Sequence, residues 1–372
     1  MPRDIKVAFA GVHRASSFFK AFQVNPETQI VALCDLSERT LGLAAEELGV
    51  KQLYTGYERM LDEAKPDAVV VATPMQLHPS QSIAALERGI SVLSEVTAAV
   101  FMDEARWLTQ AAKRSKGVYM MAENYTYIKQ NVLVKAMVEA GAFGEVYYAE
   151  GEYLHNCTPL YTDDHGRPTW RGFYAVGTNG HVYPTHSLGP CYQWFGGERP
   201  VRISCIGSGR WSKRENNPEY AMEDSILLLC KTASEKLTRI RFDILSNRPH
   251  AMANYTLQGT KGVYESARRH GEGHWVWLEG YSKDSEEWLP LDQFEAEFMP
   301  EMWRNPPKEA LEAGHGGGDY FEVMDFVEAV KGRRPAPVGI HQAMDMTLPG
   351  IVSRESIARG GEWLPVPDSR AW

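Results

Sequence analysis

The sequence predicts a two-domain α/β protein: a doubly wound parallel sheet over residues 1–123, then an α+β domain over 124–372 built on a largely antiparallel sheet. Three observations carry that expectation. The chain has 372 residues, more than the roughly 100–200 that one core usually organises. Up to about residue 122, short β-rich runs alternate with amphipathic helical stretches, the pattern of stacked βαβ units. Beyond about residue 140 the helices thin out, and alternating strands follow one another with turn residues between them.

In order, strands are expected over 5–10, 30–34, 68–72, 91–94 and 118–121, with helices over 37–48 and 103–115. Ser37 and Asp103 carry short acceptor side chains suited to capping those helices. A helix near 131–140 precedes strands over 146–154, 201–207, 226–230, 238–244, 255–258, 262–265 and 275–278. Two late helical patterns, 320–330 and 341–358, either pack on the second sheet or return to the first domain.

Composition then removes several functions. Lys and Arg total 39 against 48 Asp and Glu, and the net charge of −9 lacks the basic field that nucleic acid or an anionic membrane attracts. No stretch approaches the roughly 20 apolar residues of a membrane span, and the run 7–10 is far shorter than a signal core of about 7–15 residues. The 5 cysteines are scattered, without a C-x-x-C pair, so reduced thiols, a cytoplasmic location and no metal site are expected. The exposed face of a large antiparallel sheet commonly becomes a subunit contact, which points to a homo-oligomer.

The first strand runs into Gly11-Val12-His13-Arg14-Ala15-Ser16 and then a helix. That loop keeps the first glycine of a dinucleotide fingerprint and puts His13 and Ser16 in the other two places, making Gly11, His13 and Arg14 candidates for a pyrophosphate on the helix N-terminus. Asp35 ends the next strand, where a carboxylate accepts from both ribose hydroxyls and repels a 2′-phosphate, favouring NAD. Thr73 with His78, Glu95, and Glu123 with Asn124 follow three later strands. Polar groups at successive strand ends imply a shared crevice, as in a Rossmann domain.

With Ala72-Thr73-Pro74, His78, Glu95 and His186, the chain resembles the Gfo/Idh/MocA oxidoreductases, an N-terminal NAD(P) domain followed by a C-terminal α/β domain. It departs from their dehydrogenases where the catalytic lysine is Val96, followed by Thr97 rather than proline, and where the aspartate before His186 is Val182. Trp170-Arg171, His181, Tyr183-Pro184-Thr185-His186-Ser187-Leu188-Gly189-Pro190 and Gly314-His315-Gly316-Gly317 resemble the glycosidase branch of that superfamily, glycoside hydrolase family 109, whose founding activity is α-N-acetylgalactosaminidase. The resemblance implies a recycled NAD, with oxidation at C-3 of a sugar glycoside, loss of the C-2 proton and the aglycone, addition of water and re-reduction. Such chemistry needs no carboxylate pair across the glycosidic bond.

On that scheme His186 takes the C-3 hydroxyl proton, because histidine exchanges protons near neutral pH. Tyr183 polarises the same region and Tyr153 is the candidate base at C-2, while Arg171, Trp170, Glu123 and His315 are candidates to hold the sugar. Basic residues at Arg210, Lys213-Arg214 and Arg268-Arg269-His270 keep an anionic sugar open, as in an NAD-dependent sulfoquinovosidase. A net sugar or cyclitol dehydrogenase and a non-catalytic NAD sensor complete the alternatives.

Overall fold

The computed structural model describes residues 5–212 and 221–372. The chain divides into two compact units, Met1–Lys129 with Asn305–Met344 and Ser369–Trp372, and Gln130–Arg304 with Asp345–Asp368. These units follow different lines from a cut at 123/124, because a late segment of the chain belongs with the first sheet.

The first unit holds β1 (Ile5–Ala10), β2 (Thr28–Cys34), β3 (Gln52–Tyr54), β4 (Ala68–Val71), β5 (Ser91–Ser94) and β6 (Tyr119–Met121), all parallel, in the order β3-β2-β1-β4-β5-β6. Strands β4 and β5 are buried along their whole length, as parallel strands covered by helices on both faces must be. Strand β3 is absent from the expected strands, because its three residues form a largely exposed edge with no apolar run. Helices α1 (Val12–Val24), α2 (Glu38–Leu48), α3 (Tyr57–Ala64), α4 (His78–Glu87) and α5 (Met102–Arg114) complete the βα repeats. Ser37 caps α2 as expected, accepting from the Thr40 amide at 3.2 Å. Asp103 does not cap α5. The cap residue is Phe101, whose amide is satisfied by Glu104 reaching back at 3.1 Å, and Asp103 lies within the first turn. Phe9 packs edge-on against Phe19 and Phe22, and Phe22 against Phe326, which brings the helix Gly318–Val330 onto α1.

The second unit contains β7 (Val146–Leu154), β8 (Pro200–Gly207), β9 (Ile226–Thr232), β10 (Leu237–Asp243), β11 (Ala251–Gly259), β12 (Gly262–Glu265), β13 (Trp275–Leu278), β14 (Leu289–Pro290) and β15 (Leu364–Pro365), ordered β14-β13-β12-β11-β7-β10-β9-β8-β15. Every neighbouring pair is antiparallel except β7 with β10. After α6 (Lys129–Glu139), the chain forms β7 and later α7 (Thr185–Trp194), which packs on β7, β10 and β11. Gly151 makes that packing close: a Cβ there would come within 2.4 Å of the Ser187 carbonyl oxygen. All five cysteines are buried and free. Among the described residues no helix is long and apolar enough to cross a membrane.

Candidate active site

Strand order reverses beside β1 in the first unit, and ligands of such sheets bind beyond the strand carboxyl ends at that point. Gly11 caps α1 with a positive φ of 78°, and a Cβ on it would lie 2.5 Å from the Ala72 carbonyl oxygen. Only glycine fits there. No side chain caps α1, but Asp35 accepts from the Val12 amide at 2.9 Å and from the Ser37 amide at 2.9 Å, tying the end of β2 to the loop after β1. Arg14, in the first turn, pairs with Glu95 at 2.5 Å and donates to the Ser17 hydroxyl at 2.9 Å. His13 is exposed on the same turn. The Thr73 hydroxyl donates to Gln81 at 2.7 Å.

His78 is spent on structure. Its ring nitrogens lie 3.0 Å from the Thr97 carbonyl oxygen and 2.7 Å from that of Thr73, bracing the segments after β4 and β5, and burial pushes its pKa down.

A second set of polar groups gathers after β6. Glu123 is buried and accepts from the Tyr125 amide at 3.2 Å, capping the short turn Asn124–Tyr127. Asn124 reaches His315 at 3.2 Å, and His315 meets Asp319 at 2.9 Å, which raises the histidine pKa. His315 therefore sits with the nucleotide-binding unit, as does Glu123. Both carboxylate oxygens of Glu322 are buried without a hydrogen-bond partner. Burial beside Asp319, Glu95 and Glu123 holds this carboxyl well above its ordinary range. Sequence reasoning missed Asp319 and Glu322; the available signal was two acids three residues apart in an apolar helix start, Asp319-Tyr320-Phe321-Glu322-Val323.

These residues fit a dinucleotide. Gly11 permits close backbone approach, the uncapped start of α1 suits a pyrophosphate, Asp35 stands where a ribose diol binds, and Asn124 Oδ1 is buried without a partner.

The second unit supplies a cluster of rings. Tyr153 shares a face of β7 with Gly151, so the close seating of α7 brings its ring to 5.5 Å from His186 and 5.5 Å from Tyr183. Tyr183 and His186 meet edge to face at 4.9 Å. Pro184 is the cap of α7, so Tyr183 stands just outside the helix and His186 in its first turn. The His186 carbonyl accepts from the Tyr255 hydroxyl at 2.6 Å, fixing that turn to β11. Beneath Tyr153, Phe242 stacks at 6.2 Å, and His181 stacks on Phe242 at 4.8 Å. His181 is fully buried with neither ring nitrogen hydrogen-bonded, and burial pushes its pKa down to about 3. Two further histidines that the sequence did not single out join the cluster: His155, 3.0 Å from the Tyr153 hydroxyl, and His250, ring to ring with His155 at 4.2 Å.

Residues 127–371 match the family model described as glycosyl hydrolase 109, C-terminal domain, and residues 5–123 match that of the oxidoreductase family with an NAD-binding Rossmann fold. The chain belongs to glycosyl hydrolase family 109, within the Gfo/Idh/MocA oxidoreductases. A family 109 protein of Stenotrophomonas maltophilia is 26% identical over 99% of this chain and 90% of that one. An α-N-acetylgalactosaminidase of Tannerella forsythia is 27% identical over 91% and 80%. Among solved structures, levoglucosan dehydrogenase in complex with NADH and levoglucosan has the same fold, with a TM-score of 0.83 at 20% identity over 98% of this chain and 100% of that one. The family 109 chain is accordingly an NAD-dependent enzyme of the glycosidase or sugar dehydrogenase class.

Within this family 109 member, Arg171 opens a short π-helical turn, Arg171–Ala175, and lies over the Trp170 ring at 4.3 Å. The described arginines of the basic group are engaged elsewhere: Arg268 faces Glu152 at 3.4 Å, Arg269 faces Glu272 at 2.7 Å, and Arg210 donates to the Ala221 carbonyl at 2.9 Å. Lys213 and Arg214 lie outside the described residues. Nearby acids are engaged too, Asp243 accepting from the Leu245 and Ser246 amides and Glu152 from Asn254. No group of three residues that could hold a metal ion occurs among the described residues.

Proposed function

We propose that this chain is an NAD-dependent glycoside hydrolase acting by transient oxidation at C-3 of a sugar glycoside, elimination of the aglycone, water addition and re-reduction. The observation that supports it is the gathering of Tyr153, Tyr183 and His186 within about 5.5 Å of one another. NAD, when bound, would supply hydride transfer from and back to C-3. Gly11, Asp35 and Asn124 hold it, and His78 keeps the surrounding backbone in place.

His186 takes the C-3 hydroxyl proton, and Tyr183 hydrogen-bonds the same oxygen as negative charge develops on it. A ketone at C-3 acidifies the proton on C-2. Tyr153 removes that proton, the electron pair forms the C-1–C-2 double bond, and the aglycone leaves C-1 with its own pair. Arg171, held against Trp170, donates to sugar hydroxyls. The engaged state of Arg210, Arg268 and Arg269 favours a neutral sugar over a sulfonated or uronic one. The name of the Tannerella relative makes N-acetylhexosamine glycosides the first class to try.

The test is incubation with a panel of aryl glycosides and catalytic NAD in deuterated water. Aglycone release with deuterium at C-2 and no net NADH is expected. Stoichiometric NADH with an intact glycoside refutes the hydrolase and makes the protein a sugar dehydrogenase, the reading that Val96 and Val182 weigh against.

A further inference from the structure

His155 explains how Tyr153 can serve as a base. Residues 153 and 155 follow one another on the same face at the end of β7, and the His155 amide donates to the Asp243 carbonyl at 2.9 Å, continuing the β7–β10 pairing one residue past the strand. That pairing fixes the imidazole beside the phenol, with Nδ1 3.0 Å from the hydroxyl oxygen. The charged and titratable groups around it are Tyr153 from β7, His250 from the segment before β11, and Arg171 from the π-helical turn. Cys157, two residues on, is a buried thiol pushed up to about 11. Burial, His250 and Arg171 together hold the His155 pKa down at about 4, so the ring is neutral around pH 7 with one nitrogen lone pair. His155 is half-buried and His250 exposed, so the pair reaches from the ring cluster to solvent.

We propose that His155 is the proton acceptor behind Tyr153 in the C-2 step of the reaction proposed above, on which this assignment rests. As the C-2–H bond breaks, its proton goes to the Tyr153 oxygen and the Tyr153 hydroxyl proton goes to His155 Nδ1. The bond's electron pair forms the C-1–C-2 double bond and expels the aglycone. When water adds at C-1, the same transfers run in reverse and C-2 regains a proton. A weakly basic imidazole suits both halves, because it yields the proton readily on the return. No oxidant or further reactant is needed.

The test compares wild type, His155→Asn and His155→Phe, each full length and loaded with NAD, on an aryl glycoside turned over by the wild type. Asparagine keeps a hydrogen-bond acceptor for the Tyr153 hydroxyl but cannot take its proton. Reduction of the nicotinamide in a single turnover reports C-3 oxidation, and deuterium uptake at C-2 reports the base. In both variants nicotinamide reduction is expected at the wild-type rate, which also certifies the fold, while C-2 exchange and aglycone release fall by about 10²-fold. Wild-type exchange in His155→Asn overturns the assignment and leaves the redox glycosidase standing. An equal fall in nicotinamide reduction and C-2 exchange also overturns it, since His155 then only supports the cluster. Absence of C-2 exchange in the wild type, with aglycone still released, refutes the underlying reading and this assignment with it.

Discussion

The two units solve the problem of placing polar groups in opposite ways. In the first, Asp35, Glu95, Asp319 and Glu322 are carboxyl groups at strand ends and a helix start; backbone amides hold Asp35, Arg14 holds Glu95, His315 holds Asp319, and Glu322 is buried beside its fellow acids. In the second, Tyr153, His155, His181, Tyr183 and His186 are stacked rings. Fixed charge suits a site that must grip a polar cofactor through many turnovers. Stacked rings with ionisable tips suit a site that must release each proton it accepts. The difference teaches that the two units gather their polar atoms by separate chemistries, which the proposed reaction would use for binding in one and for proton transfer in the other.

Substitutions on either side should break this division in different measurements. The largest effect is expected for His186→Ala, which lowers the single-turnover rate of nicotinamide reduction by about 10²–10⁴-fold and leaves NAD affinity unchanged. A fall in affinity of the same size would erase the distinction between the units. Asp35→Ala should do the reverse. Loss of a charged acceptor costs about 1.5–3 kcal/mol, so NAD binding weakens about 10–100-fold and discrimination against NADP narrows, as followed by titration of the purified protein.

The smallest effects are on stability, and their signs are opposite in the two units. His181 has its pKa lowered from 6.5 to about 3, so its contribution to stability is present above 6.5 and is lost as pH falls toward about 3. Glu322 has its pKa raised, so its contribution is present below 4.5 and is lost as pH rises. Thermal melts across pH should show His181→Phe flattening the acid side of the profile. Glu322→Gln should flatten the neutral-to-alkaline side and gain stability there over the wild type. Identical profiles for both variants would show that neither group's burial governs stability.

What the sequence made legible was local. Ser37 capping α2 and Asp35 closing β2 depend on residues within a few positions, and alternating βα texture is enough to place them. The motif around Tyr183 and His186 was legible because its members lie close together in the chain. Strand β3 was not, since a short edge strand buries too little to leave a pattern. Nor was the partnership of His155 with His250, made by two segments far apart in sequence that meet only once β7 and β11 pair. The home of His315 was hidden for the same reason: the helix after it joins the first sheet through Phe326, a contact no periodicity announces. Glu322 sat in an apolar helix pattern, where an acid reads as an outward-facing residue until the surrounding carboxylates are known.

Gly151 carries a consequence for anyone wishing to retune this enzyme. Because the Ser187 carbonyl occupies the space where a side chain at 151 would begin, the spacing between Tyr153 and His186 is set by main chain against main chain. Varying the side chains around the ring cluster should therefore leave the distance between Tyr153 and His186 largely unchanged, because main chain rather than side chain seats α7 on β7 at this point. A residue with no side chain thus acts as the spacer of the cluster, and any substitution at 151 would push α7 off the sheet.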